Sequence, residues 1–503
     1  MIINLMKQHR VDFKRIYGTS STIAKNVRFD SRHVQKHDVF VCIKGENFDG
    51  HAFIGDAVAK GASIIIGTDE DLLKSFYRQY EDCTFLAVED ARLAMAQMAV
   101  LLSGETWKKL VTVAVTGTNG KTTVAAYVRS LLNQLKLPTA SIGTSGIITS
   151  KEKLDFFKST PTTPESADLH ALFKQLHAEG EKAVVMEATS IGLEQKRTAA
   201  MTFDVAIHTN ISPEHLEFHE TMENYKRAKL KLFEQAACAV VNLDDNGMAC
   251  DILDTHKGKM LTYSLRKDSG ADITAGNLRT DAQGTHFDIY NNGNTYAVYA
   301  PVFGEYNVAN LLSAVCTALH LGYKMADIIY VLQTIESPEG RFELINKYGD
   351  RQIILDYAHT PVALDQLLTA VHAIPHRRLI VMIMGIGIRD FNKMPKMAKV
   401  VEGRADEIVV SVDHPGFHDP KDVIKAVCAG FSDRVKNVST AETRADAVRL
   451  ALELSGEGDI VLLTSGQING AQLVKGEAIP HSDHKIIQAF FENQSATIQT
   501  TVS

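Results

Sequence analysis

The chain is poor in residues and patterns that are typical of several classes of protein. Its 503 residues include one tryptophan and six cysteines, and the cysteines are scattered with no C-x-x-C pair. This spacing argues against a disulfide framework or a zinc site and fits a reducing cytosol. The net charge of −7 and the pI of about 6.3 provide no basic surface of the kind that binds nucleic acid. We therefore expect no nucleic-acid partner.

Long apolar runs are also missing from the sequence. No stretch reaches the roughly 18–20 consecutive apolar residues that a membrane-spanning helix needs. The apolar run within Met1–Lys7 is too short for a signal peptide. These absences predict a cytoplasmic protein without a membrane partner.

Strand-like and helical patterns alternate along the whole chain, which predicts an α/β fold with parallel sheets. A chain of this length is too long for one core, and about three domains is the natural expectation. Polar segments at 103–109 and 337–340 suggest the boundaries. We predict domains at 1–106, 107–335 and 336–503.

The most informative segment is 110–123, which reads LVTVAVTGTNGKTT. An apolar, β-branched run predicts a buried strand, and an apolar stripe after the loop predicts a helix. A strand, a glycine-rich turn and a helix N-terminus together form a phosphate cradle. Lys121 is placed to reach the outer phosphates of a nucleotide, and the Thr122 hydroxyl to bind Mg²⁺. The segment therefore predicts binding of ATP or GTP.

This loop departs from the G-x-x-x-x-G-K-[ST] pattern at one position. The first glycine of that pattern would fall at position 115, which is valine. The alternative is a chance Gly-Lys-Thr after an unrelated strand. The strand before the loop and the helix after it favour the phosphate-binding interpretation.

Further segments, in order along the chain, resemble the Mur ligase family, and within it the branch that forms the UDP-N-acetylmuramyl tripeptide. The similarity spans nearly the whole sequence. The matching segments are Phe29–Val34, Asp38–Val41, Lys44–Gly45, Asp49–His51, Gly117–Thr123, Thr162–Glu165, Met186–Leu193, Thr209–Ser212, His215–Leu216, Tyr225–Lys229, Gly304–Asn310, Gly340–Glu343 and Asp356–Pro361. The resemblance implies three α/β domains: an N-terminal UDP-binding domain, a central P-loop ATPase core with a parallel sheet, and a doubly wound C-terminal domain.

The resemblance also implies a reaction. ATP phosphorylates the terminal carboxylate of a UDP-linked muramyl dipeptide, and the amino group of an amino acid attacks the acyl phosphate. Lys121, Glu187, His215 and Lys229 match catalytic positions; Thr122, Glu187 and His215 match ligands of Mg²⁺. Lys229 matches a lysine that the family carbamylates to N6-carboxylysine, which helps to hold a second Mg²⁺. The implied enzyme is an ATP- and Mg²⁺-dependent acid–amino-acid ligase of peptidoglycan precursor synthesis, and we expect a monomer.

Two larger sets of residues match binding positions of the family. The ATP-binding matches are Gly117, Thr118, Asn119, Gly120, Lys121, Thr122, Thr123, Asn307, Arg341, Asp356 and His359. The matches to positions that hold the UDP-muramyl dipeptide are Ser31, Thr162, Thr163, Thr189, Gln195 and Arg197.

The resemblance weakens in the acceptor pocket, where the matching residues are Arg389, Asp413, His414, Pro415, Gly416 and Gly466. Diaminopimelate-adding members carry Asp-Asn-Pro-Arg, and this chain has glycine where that arginine would clamp the acceptor. Their Gly-Lys-Gly-His-Glu becomes Gly466–Gly470, without the glutamate. Two interpretations stay open: the acceptor differs, or neighbouring residues compensate and a standard diamino acid is added.

Other functions remain as alternatives. A diverged paralogue would use a different acceptor or donor in a specialised pathway. A protein that binds nucleotide and muramyl ligands without joining them is disfavoured because six positions that match the ATPase machinery are intact. A P-loop GTPase or kinase lacks support, since no Asn-Lys-x-Asp motif occurs. Folylpolyglutamate and cyanophycin synthetases share the central fold, but the N-terminal matches favour the muramyl branch.

Overall fold

The computed structural model describes residues 2–5, 11–45, 48–348, 351–388, 390–465 and 470–501, with side chains to residue 493. The chain divides into two compact units. One comprises Met1–Lys121, Val128–Thr262 and Thr317–Gly322, and the other comprises Thr122–Tyr127, Tyr263–Cys316 and Tyr323–Ser503. The α/β fold predicted from the sequence is confirmed in both.

The first unit begins with a small α/β region that contains a five-stranded sheet and a separate two-stranded sheet of β1 and β3. Its elements are β1 (Ile2–Asn4), β2 (Arg15–Tyr17), β3 (Ser21–Ile23), β4 (Val27–Arg28), β5 (Val39–Val41), α1 (Ile54–Ala59), β6 (Ile64–Gly67), α2 (Glu70–Tyr77), β7 (Thr84–Ala87) and α3 (Ala91–Leu102), with 3-10 turns at Ser31–His33, Gly50–Phe53 and Thr106–Lys109. Strands β4 to β7 run parallel in the order β7-β6-β5-β4, and β2 pairs antiparallel with β7. Apolar clusters cover both faces of this sheet.

The larger sheet of the first unit follows. Its elements are β8 (Val111–Thr116), α4 (Lys121–Gln134), β9 (Thr139–Gly143), β10 (Gly146–Ile148), β11 (Lys153–Leu154), α5 (Ser166–Ala178), β12 (Ala183–Glu187), α6 (Ser190–Glu194), β13 (Phe203–His208), α7 (Leu216–His219), α8 (Met222–Glu234), β14 (Ala236–Asn242), α9 (Ala249–Thr255) and β15 (Lys259–Ser264). Parallel strands lie in the order β9-β12-β8-β13-β14, so β8 is central. Ligands of open α/β sheets bind at the carboxyl ends of such strands.

The second unit contains an antiparallel hairpin and a separate doubly wound sheet. The first part consists of β16 (Ile273–Thr280), β17 (Thr285–Asn291), β18 (Asn294–Ala300), α10 (Glu305–His320) and α11 (Met325–Leu332). The sequence Asn-Asn-Gly-Asn between two alternating runs predicts a hairpin turn between β17 and β18. The structure confirms it, because Asn291 pairs with Asn294 and both Asn292 and Gly293 have positive φ. This is the backbone that a two-residue hairpin turn prefers.

The rest of the second unit consists of β19 (Glu343–Ile345), β20 (Gln352–Leu355), α12 (Pro361–His372), β21 (Leu379–Ile386), α13 (Met394–Val401), β22 (Glu407–Asp413), α14 (Pro420–Cys428), β23 (Val438–Thr440), α15 (Arg444–Leu454), β24 (Ile460–Leu463), β25 (Ala471–Val474), β26 (Glu477–Pro480) and α16 (Asp483–Thr501), with a 3-10 turn at Phe391–Lys393. The strand order β20-β24-β21-β22-β23 is parallel, and β19 is antiparallel at the edge. Helices α12 to α14 cover one face and α15 and α16 cover the other, as a doubly wound fold requires.

The helices of both units carry too little continuous apolar sequence to cross a bilayer. Among the described residues, none has the length and hydropathy of a membrane span.

Glu220 has an unfavourable backbone conformation in the first unit. Its φ of 65° and ψ of −44° follow α7, and the Thr221 N–H donates to the His219 carbonyl at 2.7 Å. This three-residue turn with positive φ is strained for any residue that has a Cβ.

We expect Glu220→Gly to stabilise the fold by about 1 kcal/mol, because relief of the strain exceeds the entropy that glycine adds to the unfolded chain. The midpoint of urea unfolding measures this change. Glu220→Ala removes the same charge but keeps the strain, so its midpoint should stay near that of the wild type. Equal midpoints for the two variants would contradict the strain argument.

Candidate active site

The predicted phosphate loop lies between β8 and α4, and glycines shape it. Gly117 has a φ of 152° and Gly120 a φ of 86°. A Cβ at Gly117 would overlap Oγ1 of Thr209, so the backbone there passes too close to its neighbour for any side chain. This conformation leaves the helix N-terminus open to an anion.

Thr209 and Asn210, which follow β13, hydrogen-bond the backbone of this loop. The sequence analysis assigned these two residues no role. The Thr118 N–H donates to the Asn210 carbonyl at 2.8 Å. The Asn119 N–H donates to Asn210 Oδ1 at 3.0 Å, and Thr209 Oγ1 donates to the Asn119 carbonyl at 2.6 Å. The segment after β13 therefore holds the loop backbone in a fixed shape.

Lys121 begins α4 and folds back over the loop. Its Nζ donates to the carbonyls of Gly117 and Thr118, both at 2.9 Å. The next two residues, Thr122 and Thr123, are buried. The ammonium group therefore lies at the position where the loop would receive the phosphates of a nucleotide.

Glu187 reaches the same end of the sheet because of its strand register. In β12 it pairs with Val115 of β8, two residues before the loop begins. Its carboxylate accepts hydrogen bonds from the N–H of Thr144 at 2.8 Å and from its hydroxyl at 3.3 Å. The sequence placed Glu187 at a strand end, and the structure adds that this strand lies beside the phosphate loop.

Lys229 is the most unusual cation of the site because its side chain is buried. Its Nζ donates to the carbonyl of Gly117 at 2.9 Å and lies 4.6 Å from the ring centroid of Tyr225. Burial and the nearby charge of Lys121 hold the pKa of Lys229 well below its ordinary value. Both lysines thus converge on the Gly117 carbonyl, and the Lys229 amine is biased toward its neutral form.

His215 lies beside Tyr225, the ring that Lys229 also contacts. Its ring centroid lies 6.4 Å from that of Tyr225, in an edge arrangement. The described part of the chain contains no cluster of three or more His, Cys, Asp and Glu side chains that could hold a metal. Mg²⁺ commonly binds to one or two protein groups together with substrate phosphates, rather than to a complete protein cage. The hydroxyl of Thr122 and the carboxylate of Glu187 are oxygen donors of this kind.

Most of the predicted substrate-binding residues form one hydrogen-bonded network. The Thr163 hydroxyl donates to the Glu187 carbonyl at 2.9 Å and lies 2.9 Å from the Thr189 hydroxyl. Arg197 donates to the Thr163 carbonyl at 2.8 Å and to Gln195 Oε1 at 2.7 Å. Two further predicted residues have other partners, since Thr162 lies 3.0 Å from the Thr144 hydroxyl and the carbonyl of Ser31 accepts from Lys60 at 2.8 Å.

The remaining predicted nucleotide contacts lie in the second unit. Arg341 lies with its guanidinium 4.4 Å from the Tyr357 ring centroid and its Nη2 3.5 Å from the Thr122 hydroxyl. Asp356 accepts hydrogen bonds from the N–H groups of Phe342 at 2.8 Å and Ala358 at 2.7 Å. Burial raises the pKa of Asp356, and the charge of Arg341 opposes this shift.

Asn307 and His359 complete this second set. The amide of Asn307 is buried and donates to the Phe303 carbonyl at 3.0 Å. The ring of His359 hydrogen-bonds the Tyr357 carbonyl at 2.9 Å and lies against the Tyr357 ring. Arg341 and His359 therefore share Tyr357 as a neighbour, although the sequence analysis gave this residue no role.

A carboxylate–histidine pair supports the segment that carries Arg341. Glu343 accepts from the Gly340 N–H at 2.8 Å and pairs with His484 Nε2 at 2.7 Å. The hydrogen bond that His484 donates to Glu343 raises the pKa of His484, and the more distant Glu339 adds to this shift. The stabilisation is therefore present below the ordinary histidine pKa near 6.5 and is lost as the pH rises through the higher folded value.

We expect His484→Gln to lower the thermal unfolding midpoint more at pH 6 than at pH 9, because only the protonated ring forms the ion pair. Thermal melts at the two pH values measure the difference. The matched control is His376→Gln, since that ring bonds the carbonyl of Ile374 instead of a carboxylate. An equal loss for His484→Gln at both pH values would contradict this assignment.

The predicted acceptor segment at 413–416 forms hydrogen bonds with the β25–β26 hairpin. Asp413 Oδ1 accepts from Gln472 Nε2 at 2.7 Å, and His414 Nδ1 accepts from the Leu473 N–H at 2.9 Å. Gly416 donates to the Leu473 carbonyl at 3.2 Å and has a φ of 63°. A Cβ at Gly416 would lie 2.7 Å from Cγ2 of Ile388. Pro415 lies within this bonded segment, whereas Arg389 and Gly466 lie outside the described residues.

Profiles of one family match three parts of the chain. The Mur ligase family catalytic domain matches residues 24–101, the Mur ligase middle domain residues 115–318, and the Mur ligase glutamate ligase domain residues 340–466.

Individual relatives agree with these profiles. The UDP-N-acetylmuramoyl-L-alanyl-D-glutamate–2,6-diaminopimelate ligase of Clostridium perfringens is 34% identical over 96% of this chain and 98% of its own length. The enzyme of the same name from Geobacillus kaustophilus is 33% identical over 92% and 94%.

Solved structures have the same fold. A solved structure of a ligase with that name has a TM-score of 0.71 at 25% identity. The match covers 98% of this chain and 100% of the chain in that structure. The MurF ligase of Thermotoga maritima in complex with ADP has a TM-score of 0.63 at 18% identity, covers 94% and 99%, and shows the likeness of fold alone. The chain belongs to the Mur ligase family and is an acid–amino-acid ligase.

Proposed function

We propose that this chain uses ATP to join an amino acid to UDP-N-acetylmuramoyl-L-alanyl-D-glutamate in peptidoglycan precursor synthesis. The names of its relatives supply the substrate class. The observation that carries the proposal is the convergence of Lys121 and the buried Lys229 on the Gly117 carbonyl of the phosphate loop. A structural loop does not require two lysine side chains on one carbonyl, one of them buried.

The proposed reaction has two steps. The terminal carboxylate of the UDP-linked substrate attacks the γ-phosphorus of ATP, and ADP leaves with the electrons of the broken P–O bond. The amine of the amino acid then attacks the acyl phosphate, an amide bond forms, and inorganic phosphate leaves. Catalysis in such transfers consists mainly of positioning and of electrostatic stabilisation.

The residues of the loop fit this chemistry. Lys121 neutralises negative charge on the outer phosphates, and the loop N–H groups bind phosphate oxygens. Mg²⁺ would supply further neutralisation of the phosphates, and Thr122, Glu187, His215 and a carbamate on Lys229 are the side chains that would hold it. Arg341 and Asp356 are proposed to contact the phosphates and the ribose of the nucleotide.

The network of Thr163, Thr189 and Arg197 is proposed to hold the muramyl dipeptide. The Thr163 hydroxyl bonds the backbone carbonyl of Glu187 at the carboxyl end of β12, and Arg197 bonds the carbonyl of Thr163. A substrate held here would present its carboxylate to the phosphate loop. We keep the three predicted domains, at 1–106, 107–335 and 336–503, as part of the proposal, together with a monomeric state and a cytoplasmic location.

Release of inorganic phosphate tests this function against the alternative of a non-ligating binding protein. The purified protein is incubated with ATP, Mg²⁺ and the UDP-muramyl dipeptide, with and without a mixture of amino acids. We expect sustained phosphate release only when the amino acids are present. Nucleotide binding without turnover in any mixture would contradict the proposal.

We further propose that the acceptor amino acid is not diaminopimelate. Gly416 stands where the diaminopimelate-adding members have arginine, and a side chain there would need a positive φ and would crowd Ile388. The carboxylate of Asp413 is already bonded by Gln472. Within the described residues 413–416, the chain therefore has no arginine at the position of the carboxylate clamp.

The acceptor proposal is tested by steady-state kinetics with separate amino acids. Loss of a charged partner costs about 2–5 kcal/mol, so kcat/KM for meso-diaminopimelate should fall at least ~30-fold below that for the best acceptor. Lysine and ornithine are the comparison acceptors because they lack the distal carboxylate. Diaminopimelate as the best substrate would contradict the altered acceptor and leave the ligase function standing.

A further inference from the structure

Lys158 is a half-buried lysine of the first unit that the sequence analysis did not single out. Its Nζ donates to the carbonyl of Gly143 at 2.5 Å and to the carbonyl of Pro161 at 2.8 Å. Burial lowers the pKa of Lys158, and the negative charge of Glu187 opposes this shift. A lysine usually keeps its ammonium group in water. This one is turned inward and bonds two backbone carbonyls.

The segment that carries Lys158 lacks regular secondary structure. Residues 155–165 connect β11 to α5, and they include Thr162 and Thr163, two of the residues predicted to hold the UDP-muramyl dipeptide. A segment without a helix or a strand ladder has no regular backbone hydrogen bonds to fix its position. Its position therefore depends on individual bonds to neighbouring elements.

The two carbonyls that Lys158 bonds join this segment to the end of a strand. Gly143 is the last residue of β9, and Pro161 directly precedes Thr162. A further contact supports the same junction, because the Thr162 hydroxyl lies 3.0 Å from the Thr144 hydroxyl. One ammonium group therefore connects the strand end with the residue before the threonine pair.

The same strand end lies against Glu187. A Cβ at Gly143 would be 2.1 Å from Glu187 Oε1, so the carboxylate lies directly on this glycine. The Thr144 N–H donates to the same oxygen at 2.8 Å. Lys158 thus holds a positive charge on the residue that Glu187 contacts. This charge offsets part of the repulsion that Glu187 would exert on a substrate carboxylate.

We propose that Lys158 is a positioning residue for the UDP-muramyl dipeptide. It fixes Thr162 and Thr163 relative to Glu187, and its charge weakens the repulsion between Glu187 and the terminal carboxylate of the dipeptide. Its hydrogen bonds go to protein carbonyls, so it acts through the segment that it holds. This inference rests on the proposed ligase function and on the assignment of the two threonines to this substrate.

The test uses Lys158→Met, which keeps much of the side-chain volume but removes the charge and both hydrogen bonds. Initial rates give KM for each of the three substrates. Titration calorimetry with Mg²⁺ and a non-hydrolysable ATP analogue gives Kd for the UDP-muramyl dipeptide. We expect KM and Kd for the dipeptide to rise at least about tenfold, because hydrogen bonds from a charged group are among the stronger ones. The KM values for ATP and for the amino acid should change by less than twofold.

Two further variants separate the bonds of Lys158 from its charge. Lys153→Met is the matched control, since Lys153 is exposed on β11 and its charge acts on Lys158. It removes a neighbouring positive charge but neither of the two bonds, so KM and Kd for the dipeptide should stay unchanged. Lys158→Arg keeps the charge and can donate to two carbonyls, so it should bring both constants to within about threefold of the wild type.

Several outcomes would overturn the inference. Unchanged KM and Kd for the dipeptide in Lys158→Met would do so, as would an equal rise in the KM for ATP, an equal rise in Lys153→Met, or no recovery in Lys158→Arg. If Lys158→Met does not fold, Lys158→Gln replaces it, because glutamine is uncharged and one bond shorter; the expected and contradicting results are the same.

Failure of the inference can be distinguished from failure of the proposed function. If the wild-type protein forms no product with any amino acid, the proposed function fails and the inference falls with it. If the wild type is active and Lys158→Met binds the dipeptide normally, only the role of Lys158 is wrong and the ligase function stands.

Discussion

Replacing Lys229 by methionine is expected to lower ligase activity by at least about 10²–10³-fold, the loss typical of removing one charge-stabilising group from an active site. The side chain is buried, its Nζ bonds the Gly117 carbonyl at 2.9 Å, and the Tyr225 ring lies 4.6 Å away. Because burial and the charge of Lys121 lower the pKa of Lys229, the amine is available in its neutral form.

A neutral amine has a lone pair that can react with CO₂, whereas an ammonium group has none. It attacks CO₂, forms a carbamate and releases one proton, so that a buried cation becomes an anion able to bind Mg²⁺. The position beside the phosphate loop is where such an anion would serve the nucleotide. We therefore expect wild-type activity to fall in buffer depleted of CO₂ and to recover when bicarbonate is added.

The Lys229→Met measurement needs two controls. Lys226 lies on the same helix, and its Nζ pairs with Asp251 at 3.2 Å, so Lys226→Met should keep nearly full activity. Since methionine has a similar volume and no charge to desolvate, the unfolding midpoint of Lys229→Met should equal or exceed that of the wild type. Retention of activity in Lys229→Met, or a bicarbonate response that survives in it, would contradict the carbamate assignment.

Replacing Lys121 by methionine is expected to lower kcat/KM for ATP by about 10²–10³-fold, because it removes the cation that we propose to bind the outer phosphates. Its Nζ bonds two carbonyls of the loop, Gly117 and Thr118, at 2.9 Å each. These contacts hold the amine over the loop before the nucleotide binds. Less entropy is then lost when the phosphates bind.

Initial rates over a range of ATP concentrations measure this effect. Lys108→Met is the matched control, because Lys108 lies before the opposite end of β8 and pairs with Glu105 at 2.7 Å. That exposed pair should have little effect on activity. A normal KM for ATP and a normal kcat in Lys121→Met would show that the loop does not bind phosphate as proposed.

Local sequence was sufficient to predict β8, the phosphate loop and α4. The β-branched run, the glycines and the apolar stripe that follows each act over a few residues, and the structure places the strand at Val111–Thr116 and the helix at Lys121–Gln134. The hairpin turn around Gly293 was predictable for the same reason. Patterns of this kind depend on backbone preferences and not on distant partners.

The partner of Lys229 could not be predicted from local pattern. Among the basic residues of helix α8, Lys229 shares the helical face of the buried Tyr225, Leu232 and Phe233, so the period indicates its burial. Its partner is not encoded locally, because the phosphate loop that it bonds lies more than 100 residues earlier in the sequence. Only the resemblance to the Mur ligases indicated a catalytic role for this residue.

Strand order and long-range contacts account for the other features of the site that the sequence did not predict. Glu187 pairs with Val115 because β12 lies between β9 and β8, an order that no short segment encodes. The Lys158–Gly143 bond joins residues 15 positions apart, and the Asp413–Gln472 bond joins residues 59 apart. Such partners follow from the folded chain, and no local motif indicates them.

Mass analysis of the reaction product tests the central claim most directly. The protein is incubated with ATP, Mg²⁺, UDP-N-acetylmuramoyl-L-alanyl-D-glutamate and one amino acid at a time, including lysine, ornithine and meso-diaminopimelate. The account predicts one product that is heavier than the UDP substrate by a single amino acid residue, formed together with equal amounts of ADP and phosphate. ATP consumption without a heavier product, or no reaction with any amino acid, would contradict it.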